Sequence, residues 1–237
     1  MIEYSANSSP GKIQALDDVM TYFVRTMQLK DVSQVAQIER EAFPPPWPAT
    51  NFRHELTANS LTYYFVAYEK VSENKELPTE TEAVTKTRTW GSRLEALKQC
   101  LRRLLGWQDI PADPSESVLG FAGLWFMADE AHLANIAVHE AHRRQGIGER
   151  LLIEAIELAI ERKARFITLE VRASNKIAQA LYGKYGLVEV GTRRGYYMDN
   201  KEDAVIMTAE AITSATYINS FQRLKQAHTQ RWGISSS

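Results

Sequence analysis

The chain has 237 residues, 44% hydrophobic and 24% charged, and its 28 basic and 29 acidic side chains leave a formal net charge of −1. That near balance excludes a global field that would draw the protein to DNA or to an anionic membrane. The single cysteine, Cys100, excludes an internal disulfide and fits a reducing compartment.

Along the chain, residues 1–20 are polar and irregular and are expected to form a loose arm. Thr21 to Met27 reads as a strand. Asp31 is placed to cap a helix whose apolar residues Val32, Val35, Ala36, Ile38 and Ala42 recur at helical spacing. Pro44, Pro45, Pro46 and Pro48 end that helix, because proline lacks the amide a helix needs. Thr50 to Ala58 reads as a short helix and Leu61 to Tyr68 as a strand rich in aromatic and β-branched residues.

The stretch from about 70 to 117 then interrupts the pattern. Its first half is poor in apolar residues. Its second half, 90–107, places Trp90, Leu94, Leu97, Leu101 and Leu104 on one helical face beside an excess of arginine and lysine. Such a helix could dock on its own domain or on a partner protein, contact RNA, or lie on a membrane surface.

Beyond it, strands are expected over Val118 to Met127 and His132 to Val138, and a long amphipathic helix over Gln145 to Lys163. A strand from Phe166 to Val171, a helix from Ser174 to Tyr185, and strands from Leu187 to Thr192 and Ala204 to Thr208 follow. Residues 210–237 read as a polar helical tail with a frayed end at Ser235 to Ser237; Arg223, Lys225 and Arg231, with no acid after Glu210, fit a solvated tail. The interleaving predicts an α/β domain over 21–209 with one mixed central sheet, helices on both faces and one inserted loop–helix segment. No run of about eighteen apolar residues could cross a bilayer, and Met1 to Ser5 lacks the start of a secretory signal. A cytoplasmic location is expected.

Two motifs carry chemistry. Arg143-Arg144-Gln145-Gly146-Ile147-Gly148 lies between a strand and a helix. Two glycines let a ligand approach the backbone, and the first amides of the following helix lack internal partners and carry the positive end of its dipole. A pyrophosphate suits such a site. The spacing fits neither a Walker loop nor a Rossmann turn. The second motif, Leu169-Glu170-Val171-Arg172-Ala173-Ser174-Asn175, puts a carboxylate near a strand end. Asn175 and Tyr182, seven residues apart, fall on one helical face about 10.5 Å apart along the axis. If that face is shared with Glu170, the three could flank an extended ligand. Taken singly, Glu170 could equally form a surface ion pair, with Arg172 for example, and Tyr182 could be a core aromatic. His132, His139 and His142 are close in sequence, but no cysteine joins them, and hydrogen-bonded or solvated histidines are expected rather than a metal site.

In combination, Asn135-Ile136-Ala137-Val138, Arg143 to Gly148, Leu169 to Asn175, Leu181-Tyr182, Tyr185-Gly186-Leu187, Arg193-Arg194, Tyr196-Tyr197 and Glu202 to Met207 resemble the GNAT acetyltransferases. Within that family the likeness is to the branch that acetylates the N-terminal alanine of a ribosomal protein. It covers roughly 21–69 and 118–209. The resemblance implies acetyl-CoA as co-substrate, no metal, and a protein N-terminal peptide as acceptor. It implies that Ile136, Ala137 and Val138 offer strand backbone to the pantetheine arm and the thioester carbonyl. Arg143, Arg144, Gln145, Gly146, Ile147, Gly148 and Glu149 would surround the pyrophosphate, and Asn175 would bond the CoA arm. Glu170 would be the general base and Tyr182 the general acid. Glu149 stands where the family often has a basic residue.

Overall fold

A computed structural model describes residues 22–43, 49–71 and 113–232. The strands are β1 (Phe23–Thr26), β2 (Thr62–Lys70), β3 (Glu116–Met127), β4 (Glu130–Val138), β5 (Phe166–Arg172), β6 (Val188–Arg193) and β7 (Ala204–Glu210). The helices are α1 (Val32–Ala42), α2 (Ala49–Ala58), α3 (Ile147–Glu161), α4 (Lys176–Lys184) and α5 (Ala215–Trp232). The strands form one mixed sheet in the order β1-β2-β3-β4-β5-β7-β6. The expected fold class is met. The expected arm, Cys100 and the expected helix at 90–107 lie outside the described residues.

Strand alternation divides the core between two faces of the sheet. Tyr64, Val66, Phe121 and Ala137 pack with Val32, Val35, Ile38 and Phe52 of α1 and α2. Ala67, Ala122, Leu124, Leu133, Ile167, Leu169 and Val171 pack with Leu151, Leu152, Ala155 and Ile156 of α3 on the other face. The stretch beginning near 70 leaves and rejoins the domain at one place: β2 runs to Lys70, β3 starts at Glu116, and the Val71 amide donates to Ser115 O at 2.9 Å.

Two local expectations are corrected. Asp31 does not cap α1 through its side chain. Its carboxylate turns back to accept the Gln28 amide at 2.7 Å and the Arg25 guanidinium at 2.7 and 2.9 Å. The C-terminal segment is not a solvated tail. Tyr217, Phe221, Leu224 and His228 recur every three or four residues along α5, and that stripe packs into the domain, with Phe221 and His228 buried.

The gap that matters for function arises between β4 and β5. They pair in parallel only from Glu130 to His132 against Phe166 to Thr168, yet β4 continues to Val138 and β5 to Arg172. A bulge helps them part. Against β3, Leu133 faces Leu124 and Asn135 faces Gly123, which leaves Ala134 extra. Such a bulge bends its strand and shifts which side chains face which side. Ala131 and Leu133 face α3 before it, and Ala137 faces α1 after it.

Candidate active site

Past the bulge, one edge of β4 has no strand beside it. The His139 amide donates to Leu119 O of β3 at 2.8 Å. Amides alternate in direction along a strand, so those of Ile136 and Val138 point away from β3, into the gap. An extended polar chain laid in the gap would find the Ile136 and Val138 amides and the Ile136 carbonyl there, the Val138 carbonyl being bonded to Arg143.

The Arg143–Gly148 loop closes one end of the gap. Arg144 has φ +68° and Gly146 φ +79°, so the chain passes through two left-handed residues before α3 begins. Gly146 is the N-cap and has no side chain to satisfy the first amides, which leaves them free for an anion. Gly148 lies beside Val138, where an added Cβ would come 3.6 Å from a Val138 methyl, so the loop and the free strand edge are contiguous. Arg143 is turned back, its Nε donating to Val138 O at 3.2 Å. Glu149, of the sign opposite to that expected, is engaged elsewhere: Lys184 Nζ lies 2.6 Å and the Tyr185 hydroxyl 2.7 Å from its carboxylate. Burial opposes its ionisation, and those two donors outweigh burial, so its pKa is lowered. The amide of Glu149 remains available to a phosphate. Asn175 is the N-cap of α4, its Oδ1 accepting the Ala178 amide at 3.1 Å, so its NH₂ is the group left for a ligand.

Glu170 has a side chain only 7% exposed, bonded on both oxygens. His132 Nε2 lies 3.0 Å from Oε2 and Arg193 Nη2 3.0 Å from Oε1. The His132 contact is the main reason the Glu170 pKa is lowered, against burial. Reciprocally, Glu170 raises the pKa of His132. Glu130 Oε1 lies 3.6 Å from the other ring nitrogen. His132 faces Thr168 across the last paired position, and Glu170 follows two residues on, so both project from the face that carries α1 and α2. The ion pair expected of Glu170 therefore exists, but with His132 and Arg193. Arg172 is committed to Asp199 at 2.9 and 3.0 Å and to Glu202 at 3.2 Å, and stacks 3.9 Å from the centre of the Tyr197 ring. That cluster fixes the loop between β6 and β7. Tyr196, in the same loop, has its ring centre 5.6 Å from the guanidinium of Arg193, the residue that pairs with Glu170, and its pKa is raised by burial and by the Glu170 charge.

Tyr182 is buried in the other layer, with Leu169, Val171 and α3. Burial, and then Tyr197, hold its pKa far above the usual phenol value, so it keeps its proton at any physiological pH. The expectation of a phenol, an amide and a carboxylate on one shared face is thus not met. Glu170 and Tyr182 belong to opposite faces of the sheet, on either side of the place where β4 and β5 separate. His132, Arg193 and the C-terminal helix were not singled out as parts of the site by sequence. The signal for His132 was the alternation that puts it in phase with Glu170, but using it requires knowing that β4 and β5 are neighbours. Among the described residues, no group of three or more His, Cys, Asp or Glu is placed to hold a metal ion, and no helix is long and apolar enough to cross a membrane.

Comparison with known proteins agrees with this geometry. Residues 74–187 match the model of the Acetyltransferase (GNAT) family. A relative from Bacillus subtilis, described as a putative [ribosomal protein bS18]-alanine N-acetyltransferase, is 33% identical over 184 residues, 78% of this chain and 92% of the relative. The [ribosomal protein bS18]-alanine N-acetyltransferase of Escherichia coli is 46% identical over 89 residues, 37% of this chain and 60% of that protein. The crystal structure of the Escherichia coli ribosomal-protein-S18-alanine N-acetyltransferase superposes with a TM-score of 0.54 at 26% identity, covering 81% of this chain and 94% of that one. With a loop built for an anion, a free strand edge and a relative matched over nearly its whole length, the chain belongs to the GNAT family of N-acetyltransferases, enzymes whose acyl donor is acetyl-CoA.

Proposed function

We propose that the protein acetylates the α-amine at the N-terminus of another protein, the N-terminal alanine of a small-subunit ribosomal protein being the acceptor its relatives point to. The observation that carries the reading is the Glu170–His132 pair beside the gap between β4 and β5. A protonated amine cannot attack a thioester. An α-amine of pKa about 8 is about one-tenth neutral at pH 7, whereas a lysine amine near 10.4 is far less so. The site must take a proton, and a carboxylate held below its usual range is a weak base for that task. His132, whose pKa Glu170 raises, is better matched. In this reading Glu170 accepts the Nε2–H of His132 and so orients and charges the pair, and the proton the ring gains or loses is the one on Nδ1. The proton passes from the amine to the pair directly or through a water.

Placement supports the remaining roles. Acetyl-CoA supplies the acyl group as a thioester. The amides at the start of α3, with Arg144 and Gln145 beside them, hold the pyrophosphate; Ile136 and Val138 backbone and the Asn175 NH₂ hold the arm. The Val138 N–H donates to the oxygen on which negative charge develops, a contribution typically worth about 3 kcal/mol. Tyr182, which holds its proton in the resting enzyme, gives it to the departing thiolate and takes back, directly or through a water, the proton that the attacking nitrogen releases as the amide forms. The opposite faces of Glu170 and Tyr182 suit this division: the amine is deprotonated on the α1–α2 side and the thiolate is protonated on the α3–α4 side, with the reacting carbon between them. The loop fixed by Arg172, with Tyr196 and Tyr197, borders the amine side and is where the acceptor's first residues would be read.

The test incubates the protein with acetyl-CoA and peptides of one length, one beginning with a free alanine, one with that amine blocked and a lysine inside. CoA release with the free-alanine peptide alone is expected. Release with the blocked lysine peptide alone would overturn the reading.

A further inference from the structure

The C-terminal helix α5 has no part in the chemistry above, yet it reaches the donor loop. His228, 2% exposed, has Nε2 at 3.0 Å from the Gly146 carbonyl oxygen. A carbonyl only accepts, so Nε2 carries the proton and Nδ1 the lone pair. Burial lowers the His228 pKa, which keeps the ring in this neutral form. The same oxygen accepts the Arg150 amide at 2.9 Å, so two donors converge on one carbonyl. One helical turn beyond His228, the Trp232 indole lies on the Gly146 α-carbon: an added Cβ would stand 2.6 Å from its Nε1 and Cε2. The helix is itself anchored nearby. The Phe221 ring lies 6.2 Å from that of Tyr185, and the Tyr217 hydroxyl donates to Tyr185 O at 3.0 Å. Tyr185 in turn donates to Glu149, in the first turn of α3.

The Gly146 carbonyl and the Ile147 N–H are the two ends of one planar peptide unit, pointing opposite ways. Fixing the carbonyl therefore fixes where the amide points, and that amide is the first of those left free for an anion. Glycine at φ +79° is conformationally permissive, and without α5 only the Arg150 amide would hold its carbonyl.

We propose that His228 and Trp232 are positioning residues for the acyl donor: α5 clamps the Gly146 peptide so that the first amides of α3 stay aimed at the pyrophosphate of acetyl-CoA. The proposal rests on the reading of 143–149 as the pyrophosphate loop. It makes donor recognition depend on a helix that lies outside the run of motifs and touches the ligand only through the loop.

The experiment uses the full-length enzyme. CoA affinity is measured by calorimetry, and steady-state constants are measured with acetyl-CoA and with S-acetylpantetheine, which lacks the pyrophosphate. His228→Ala and Trp232→Ala should each raise the CoA Kd and the acetyl-CoA KM about five- to tenfold, with kcat and the peptide KM within about twofold. Their kcat/KM for S-acetylpantetheine should be unchanged, which a general loss of folding would not produce. His228→Gln, which can keep an N–H donor, and Trp232→Phe, which keeps a ring, should recover much of the affinity, and they test the proposal if the alanine variants fail to fold. Gly148→Glu, which brings a carboxylate to the loop, is the control for the underlying reading. If it weakens CoA while the α5 variants do not, the clamp is wrong and the loop reading stands. If it too leaves CoA affinity unchanged, both fail. Equal losses with both donors would also overturn the clamp.

Discussion

The two ends of the gap are built in different ways. The donor end, Arg143 to Glu149, is contiguous in sequence and works through backbone: two left-handed residues and the uncapped start of α3. The acceptor end works through side chains brought together from three strands, His132 of β4, Glu170 of β5 and Arg193 of β6. A backbone site tolerates most side-chain changes but not the loss of a glycine. A side-chain site fails when one atom is exchanged, with the fold intact. The two ends should therefore respond to mutation in different kinetic constants.

The largest expected effect is at the acceptor end. Glu170→Gln keeps the shape and removes the charge, and kcat should fall by about 10²-fold or more with the acetyl-CoA KM unchanged. A proportionate rise in that KM would erase the distinction between the ends. Tyr182→Phe should lower kcat by a smaller factor, about tenfold or more; full activity would remove it as the acid.

Next comes the donor end. Gly146→Ala forces a side chain to φ +79° and against the Trp232 ring. It should raise the acetyl-CoA KM about tenfold and cost about 1–3 kcal/mol of stability by urea unfolding, while kcat at saturating donor stays close to wild type. A fall in kcat with KM unchanged would mean that the loop shapes the acceptor side as well.

The pH dependence of stability separates the ends further. Glu170 raises the His132 pKa, so that part of the pair's stabilisation is fully present below the usual histidine value and is lost as pH rises through the folded value. His132 lowers the Glu170 pKa, so the carboxylate's part is present above the usual carboxylate value and is lost as pH falls through the folded one. His132→Gln should therefore destabilise the protein more at mildly acidic pH than at pH 9; the reverse order would refute the pairing. The smallest effect is at the rim. Arg172→Lys loses the two-pronged bond to Asp199 and the stacking on Tyr197, and should raise the peptide KM a few-fold without moving the acetyl-CoA KM.

The same contrast explains what could be read from sequence. The donor loop was legible because its requirements are local: glycines, and a helix start directly after them. The strands and helices around it were legible for the same reason, with ends displaced by at most two residues; β1, for example, spans Phe23–Thr26 rather than Thr21 to Met27. Glu170 and Tyr182 were legible as residues but not in their relation. Which face each occupies depends on the phase of β5 and on where α4 packs, and neither is set by the spacing between them. His132 stayed hidden because its partner lies 38 positions away on a strand that meets β4 over only three positions. The last helix was misread for another reason. Its packed stripe contains tyrosine and histidine, which count as polar in composition but bury their rings against the core.

The central claim, that Glu170 and His132 act as one unit that takes the amine proton, is tested most directly by kcat as a function of pH. Both substrates are held at saturation, so that kcat reports groups in the complex. Wild type should lose activity on the acid side with a pKa above that of a free histidine, because Glu170 stabilises protonated His132. In Glu170→Gln the plateau should drop about 10²-fold and any remaining acid limb should move to lower pH. Profiles that superimpose, with plateaus within about twofold, would contradict the claim.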